Sequence, residues 1–140
     1  MNLVKINGGN PNILATHDIG EEVKYDNNFK EHKDKRGIIS RVDCDSIKFN
    51  VMTTKSGYYR GGEIHPNSQF NMVLSGRIDI FYLVDGKNIW QQVMPNTLVI
   101  IEPYIPHLFY FVEDSVMLEW WDGPMTGWYY PDFRKYVKYE

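Results

Sequence analysis

The chain has 140 residues, a net charge of −3 and 43% hydrophobic and 15% aromatic residues, the size of one domain that buries a core without disulfide staples. That charge balance supplies no basic field for nucleic-acid backbones or anionic membranes, which excludes both as expected partners. The single cysteine, Cys44, allows no intramolecular disulfide and no paired Cys/His spacing for structural zinc, in keeping with a reducing compartment.

The first residues lack the continuous apolar stretch of a signal peptide, and no later run approaches a membrane span, so a cytoplasmic location is expected. Residues 1–36 read as a polar arm with one or two short strands. In it, His17 and His32 are expected in solvent, and the charged run Lys30 to Arg36 reads as a solvated loop. From Gly37 the texture changes to short β-branched and aromatic runs separated by turn residues, the mark of an all-β barrel or sandwich. Strands are expected at 37–43, 46–53, 58–65, 69–74, 77–84, 87–94, 98–101, 107–112 and 115–122, a barrel over 37–122. Cys44 reads as a small buried or half-buried side chain. Asp85-Gly86 readily supplies the positive φ of a two-residue hairpin turn. Pro103 and Pro106 predict an extended approach to His107. In the tail, 123–140, the stretch from Pro131 to Tyr139 predicts a short helix with Phe133, Tyr136 and Val137 on one face, packed on the barrel or on a neighbour. The aromatic residues crowding 120–139 require cover by the barrel or a second subunit, so a homodimer is expected.

Side chains alternate along a strand, so Glu63 and His65 share a face. On the next strand Gln69, Asn71, Val73 and Ser75 form one face and Phe70, Met72 and Leu74 the other. If the second set packs outward, Gln69 and Asn71 look into the lumen beside Glu63 and His65, and Phe109 and Phe111 form an apolar floor on the face of His107. A barrel mouth of this kind suits a small molecule.

The run from Gly57 to Gly76 resembles the first motif of the cupin superfamily, G-x5-H-x-H-x3-E-x6-G, with Glu63 where the first His is usual and Gln69 where the Glu is usual. Ile101 to His107 is similar to the second motif. The resemblance implies a double-stranded β-helix, or jelly-roll barrel. Three chemistries are then open to its polar residues. Glu63, His65, Gln69 and His107 would hold one divalent ion (Fe, Mn, Ni or Zn), two imidazoles and a carboxylate being a donor set for such ions. Without a metal, Glu63 and His65 act as acid and base in a partly dry pocket, with Arg60 holding anionic charge and Gln69, Asn71, Phe109 and Phe111 binding substrate. Or the polar set only hydrogen-bonds within itself, as buried polar groups do.

Two further stretches resemble the sugar-nucleotide branch of that superfamily, the dTDP-4-keto-6-deoxyhexose 3,5-epimerases and 3,4-ketoisomerases. Asp34-Lys35-Arg36-Gly37 is similar to their D-x-R-G, and Arg60 to His65 to the ketoisomerase pattern R-G-x-H-x-H. Tyr129 to Tyr136 is similar to their tyrosine-rich tail. The resemblance implies metal-free dimers whose barrel histidines move protons beside a keto group, with Arg60 on phosphate or sugar and His65 as an acid/base. The chain departs from the pattern at Glu63, and has Phe49 and Asn50 where the ketoisomerases carry adjacent tyrosines. The expected function is isomerisation or epimerisation of a keto-sugar or sugar nucleotide. A metal-dependent oxygenase or isomerase, and a non-catalytic small-ligand binder, are the alternatives.

Overall fold

A computed structural model describes residues 1–26 and 30–139; residues 27–29 of the expected arm, and Glu140, lie outside the described residues. Twelve strands form two sheets: β1 (Asn2–Ile6), β2 (Glu31–Asp34), β3 (Gly37–Cys44), β4 (Ile47–Thr54), β5 (Tyr59–Ile64), β6 (Gln69–Ser75), β7 (Ile78–Val84), β8 (Lys87–Val93), β9 (Thr97–Ile101), β10 (His107–Phe111), β11 (Ser115–Trp121) and β12 (Trp128–Tyr129). A 3-10 turn spans Pro11–Ala15, and α1 spans Pro131–Arg134. The larger sheet runs β1-β9-β6-β11-β4-β3-β2 and the smaller β12-β5-β10-β7-β8. Among the described residues no helix is long and apolar enough to cross a membrane.

All nine expected strands are present, each with ends within two residues of the expectation. The β7–β8 hairpin turns on Asp85 and Gly86 at φ 52° and 73°, the paired left-handed geometry that Asp-Gly tolerates. The sheets extend beyond 37–122. β1 joins β9 in parallel, β2 pairs with β3, and β12 pairs with β5. The expected arm therefore supplies two edge strands, because their backbone groups find partners on sheet edges left open by the barrel itself.

Between the sheets lies an apolar core that includes Met52, Val73, Ile80, Val99, Phe111 and Met117. Cross-strand register stacks it in layers: Met117 faces Met52 and Val73, and one layer along Glu119 faces Asn50 and Asn71. Inward side chains thus change from apolar to polar toward one end of the barrel, where the lumen opens. A smaller cluster of Ile64, Leu108, Tyr130, Phe133 and Val137 covers the outer face of the smaller sheet, so the tail packs on its own barrel.

Five local expectations change. The run from Lys30 to Arg36 is not a solvated loop: it forms β2, and Arg36 is buried, its Nη2 2.8 Å from Asp34 Oδ2. Cys44 is exposed at the end of the β3–β4 hairpin. The helix ends at Arg134, with Tyr136 46% exposed. Beyond it, bonds of Tyr136 N to Phe133 O and Val137 N to Arg134 O tighten the chain into i→i+3 turns that swing Tyr136 away from the face of Phe133 and Val137. The approach to His107 turns at Tyr104, φ 66°, rather than running extended, and Tyr104 N donates to His65 O at 2.8 Å. Inward alternation on β6 stops at Val73. The pairing with β11 shifts between Val116 and Met117 and leaves Ser75 exposed.

Candidate functional site

Arg60 and Glu63 are three residues apart, so strict alternation would set them on opposite faces of β5. A bulge at Gly61-Gly62 removes that conflict. His107 pairs with Glu63 but Leu108 pairs with Gly61, and the two glycines sit at φ 96° and 72°. Both Arg60 and Glu63 consequently reach the lumen, while Ile64 turns outward into the tail cluster. Gly62 is required for a second reason: a Cβ there would lie 2.7 Å from the Arg134 backbone.

The lumen is a cavity of about 190 Å³ with two unlike walls. One wall, from β5 and β10, carries Arg60, Glu63, His65, His107 and Phe109. The other, from β4, β6 and β11, carries Asn50, Met52, Gln69, Glu119 and Trp121. Tyr25 and Arg36, from the first 36 residues, and Arg134, from α1, close the rim. An outer cavity of about 600 Å³ shares Asn50, Glu119, Trp121 and Met125 with the lumen and adds Phe49, Lys48 and Trp120.

On the first wall the two imidazoles are held alike. His65 Nδ1–H donates to Thr126 O at 2.8 Å and His107 Nδ1–H to Ile105 O at 2.9 Å, which leaves each Nε2 as the available ring nitrogen. Gly127 lets the 123–127 loop close on His65, since a Cβ would meet its ring at 2.7 Å. Burial lowers both histidines to about 4, with His65 adding to the effect at His107, so both are neutral at neutral pH. Glu63 Oε1 accepts from Tyr25 Oη–H at 2.6 Å and lies 3.5 Å from His65 Nε2; its Oε2 is 3.5 Å from Arg134 Nη1. Burial pushes the Glu63 carboxyl up against the opposing pull of Tyr25 and Arg134.

On the second wall Glu119 Oε2 accepts from Asn71 Nδ2 at 3.1 Å and Gln69 Nε2 at 3.2 Å, and Gln69 Nε2 also donates to Asn71 Oδ1 at 2.9 Å. Burial raises Glu119 to about 7, with the Glu63 charge adding and the amide bonds opposing. Its proton is therefore exchangeable near neutrality. Arg60 Nε donates to Thr54 Oγ1 at 2.8 Å, and burial with the nearby Arg36 charge brings the guanidinium down to about 10.

The structure brings Arg60, Glu63, His65, Gln69, His107 and Phe109 to one lumen. It does not place Asn71 or Phe111 on the cavity surface. Asn71 is fully buried behind Glu119, bonding it and Met117 Sδ, and Phe111 lies one layer deeper in the core. Sequence reasoning missed Glu119, Tyr25, Arg36, Trp121 and Arg134 as lumen residues. Alternation from Ser115 and Met117 could have found Glu119, a lone acid on an apolar strand. Tyr25 had no such signal, since its segment is irregular.

The expected metal ligands do not fit an ion as they stand. Among the described residues no group of three or more His, Cys, Asp or Glu side chains converges to hold one. Glu63 gives its oxygens to Tyr25, His65 and Arg134, so the expected set lacks a free carboxylate, while Gln69, its amide nitrogen turned toward Asn71 and Glu119, keeps Oε1 unpartnered.

No protein-family model matches the sequence, and no curated protein does. Solved structures do match. The capsular polysaccharide assembling protein CapF from Staphylococcus aureus is similar at TM-score 0.60 and 20% identity, over 71% of this chain and 32% of that one. CapF with the inhibitor 3-isopropenyl-tropolone gives 0.59 and 21%, over 67% and 30%. A deletion mutant of Bacillus subtilis oxalate decarboxylase gives 0.62 and 14%, over 76% and 31%, and another structure of that decarboxylase concerns its Mn(II) centres. The chain spans about a third of the length of these neighbours. At such identities the likeness carries architecture, and by its two facing sheets, the lumen they enclose and these neighbours the chain has the cupin fold.

Proposed function

We propose that the protein is an isomerase or epimerase that moves a proton beside the carbonyl of a keto-sugar held in the lumen. The observation that carries this reading is the pairing of two walls with different proton affinities. Neutral His65, in contact with Glu63, faces a lumen whose opposite wall holds Glu119 near pKa 7. Groups whose environments push their proton affinities apart suit the roles of base and acid. One wall takes the proton on the carbon beside the carbonyl and the other returns one, to the neighbouring carbon in isomerisation or to the opposite face in epimerisation. Arg60 holds an anionic group of the substrate beside the reacting carbons. The outer cavity has room for the remainder of a larger substrate, such as a linked nucleotide.

The test is solvent hydrogen exchange. Ketoses incubated with the protein in D₂O should gain deuterium beside the carbonyl, and His65→Gln should slow this by roughly 10²–10⁴-fold, the usual weight of one general acid or base. No incorporation into any ketose that binds would overturn the reading and leave a binding module.

The protein would act as a homodimer. Register aligns Leu3, Leu98, Met72, Leu118 and Val51 in one row across five strands on the outer face of the larger sheet. Beside it Phe70 stacks on Trp120 at 5.4 Å. A flat apolar row of this kind is self-complementary under a two-fold axis.

A further inference from the structure

Among the described residues, three that line the lumen each carry a buried polar atom with no partner within the protein: Arg60 Nη2, Trp121 Nε1 and Gln69 Oε1. Buried polar groups are satisfied in the great majority of cases, and leaving one unmet is costly, more so for a charge. Arg60 is 3% exposed, its nearest hydrogen-bonding partner is the neutral Thr54 hydroxyl, and among the described residues no carboxylate forms an ion pair with it. Two of the three atoms are donors, one of them charged, and the third is an acceptor. A molecule that completes the set presents an anionic acceptor to Arg60 and Trp121 and a hydroxyl donor to Gln69.

We infer that the lumen is built for a hydroxy-carboxylate, a sugar acid whose carboxylate meets Arg60 Nη2 and Trp121 Nε1 while one of its hydroxyls donates to Gln69 Oε1. A carboxylate fits better than a phosphate. It carries one charge on two oxygens, matching one free guanidinium nitrogen and one indole N–H, whereas a phosphate dianion brings three oxygens and a second charge toward Glu63 and Glu119 on the same walls. Size agrees, since 190 Å³ holds about six waters at ~30 Å³ each, room for a chain of roughly four to six carbons. The inference names the substrate class of the site assigned above and rests on the lumen being the ligand's seat. It is therefore tested by binding, whereas the proton transfer is tested by exchange.

Three sugar acids (glucuronate, galacturonate and gluconate) are titrated calorimetrically and by thermal shift against glucose, galactose, sorbitol and glucose 6-phosphate. At least one acid should bind and raise the melting temperature by mass action, with its neutral counterpart at least tenfold weaker. Arg60→Gln should weaken binding of that acid by roughly 10- to 100-fold, the range for a hydrogen bond to a charged group. Trp121→Phe keeps an aromatic ring and removes the N–H with part of the indole, so it reports on the same contact if the arginine variant does not fold, and the lost N–H should weaken the acid more than the neutral sugar. The inference is overturned if no acid binds, if acid and neutral sugar bind alike, if only the phosphate binds, or if both variants bind the acid as the native protein does. Binding of an acid without deuterium exchange would sink the proton-transfer reading and leave this one standing. Exchange into neutral ketoses with no acid bound would do the reverse.

Discussion

Glu119 shows how much a single residue's surroundings decide. Burial and the neighbouring Glu63 hold its carboxyl near 7 although Asn71 and Gln69 both donate to it, so the folded protein keeps a proton there that an unfolded chain releases near 4.5. A group with a raised folded pKa contributes stability that is full below the unfolded value and is lost as pH rises through the folded one. Glu119→Gln, neutral at every pH, should therefore gain stability relative to the native protein as pH rises from 4.5 to 8, by on the order of 3 kcal/mol. That is a widening of the melting-temperature gap of roughly 5–10 °C. His65 and His107, lowered to about 4, act with the opposite sign by losing stability as pH falls below 6.5. They are common to both proteins and cancel in the difference. Calorimetric melting of the two proteins at several pH values checks this, and a gap that stays constant would show that Glu119 titrates normally. In the sequence Glu119 was visible only as an acid out of place, because its value depends on amides that another strand brings to it.

Among the elements, β5 matters most to the site, and its bulge is the reason. Alternation correctly put Glu63 with His65, but the same rule would have kept Arg60 out of the lumen, and only the doubled glycine reconciles the two. Gly62→Ala forces a left-handed residue and drives its Cβ to 2.7 Å from the Arg134 backbone; it should cost on the order of 3 kcal/mol in chemical denaturation. Gly86→Ala is the control, with φ 73° and open space around it, and should cost only about 1 kcal/mol of left-handed strain. Equal losses in the two variants would mean that the contact between bulge and tail contributes nothing. The tail was read as a helix by its Phe133–Val137 spacing. Both residues are buried as expected, yet the helix itself is four residues long, because covering Ile64 and Leu108 needs two anchored side chains and no further turn.

For the whole molecule, the distinguishing trait is that its two faces are finished differently. The smaller sheet is covered by the chain's own tail, whereas the larger one presents the row from Leu3 to Val51, with Leu3 61% exposed. Sedimentation velocity should show a dimer at micromolar concentration. Leu118→Glu, at the centre of that row, should convert it to a monomer with little change in melting temperature extrapolated to low concentration, since its side chain faces outward. A native protein that sediments as a monomer would remove the proposed interface.

Periodicity and turn chemistry by themselves determined the all-β class, nine of the twelve strands, the Asp85-Gly86 hairpin and the sharing of a face by Glu63 and His65. These depend on neighbours within a few residues, where steric rules act without help from the rest of the fold. The tertiary structure alone decided that Tyr25, Arg36, Glu119 and Arg134 join them, that Asn71 and Phe111 stand behind the cavity, and that Glu63 faces Tyr25 and Arg134 rather than an ion site. Those outcomes turn on residues far apart in the chain, such as Glu63 and Arg134, being brought close together and out of water. Burial, which moves the proton affinities of the site, is a property of the packed barrel and of no single segment.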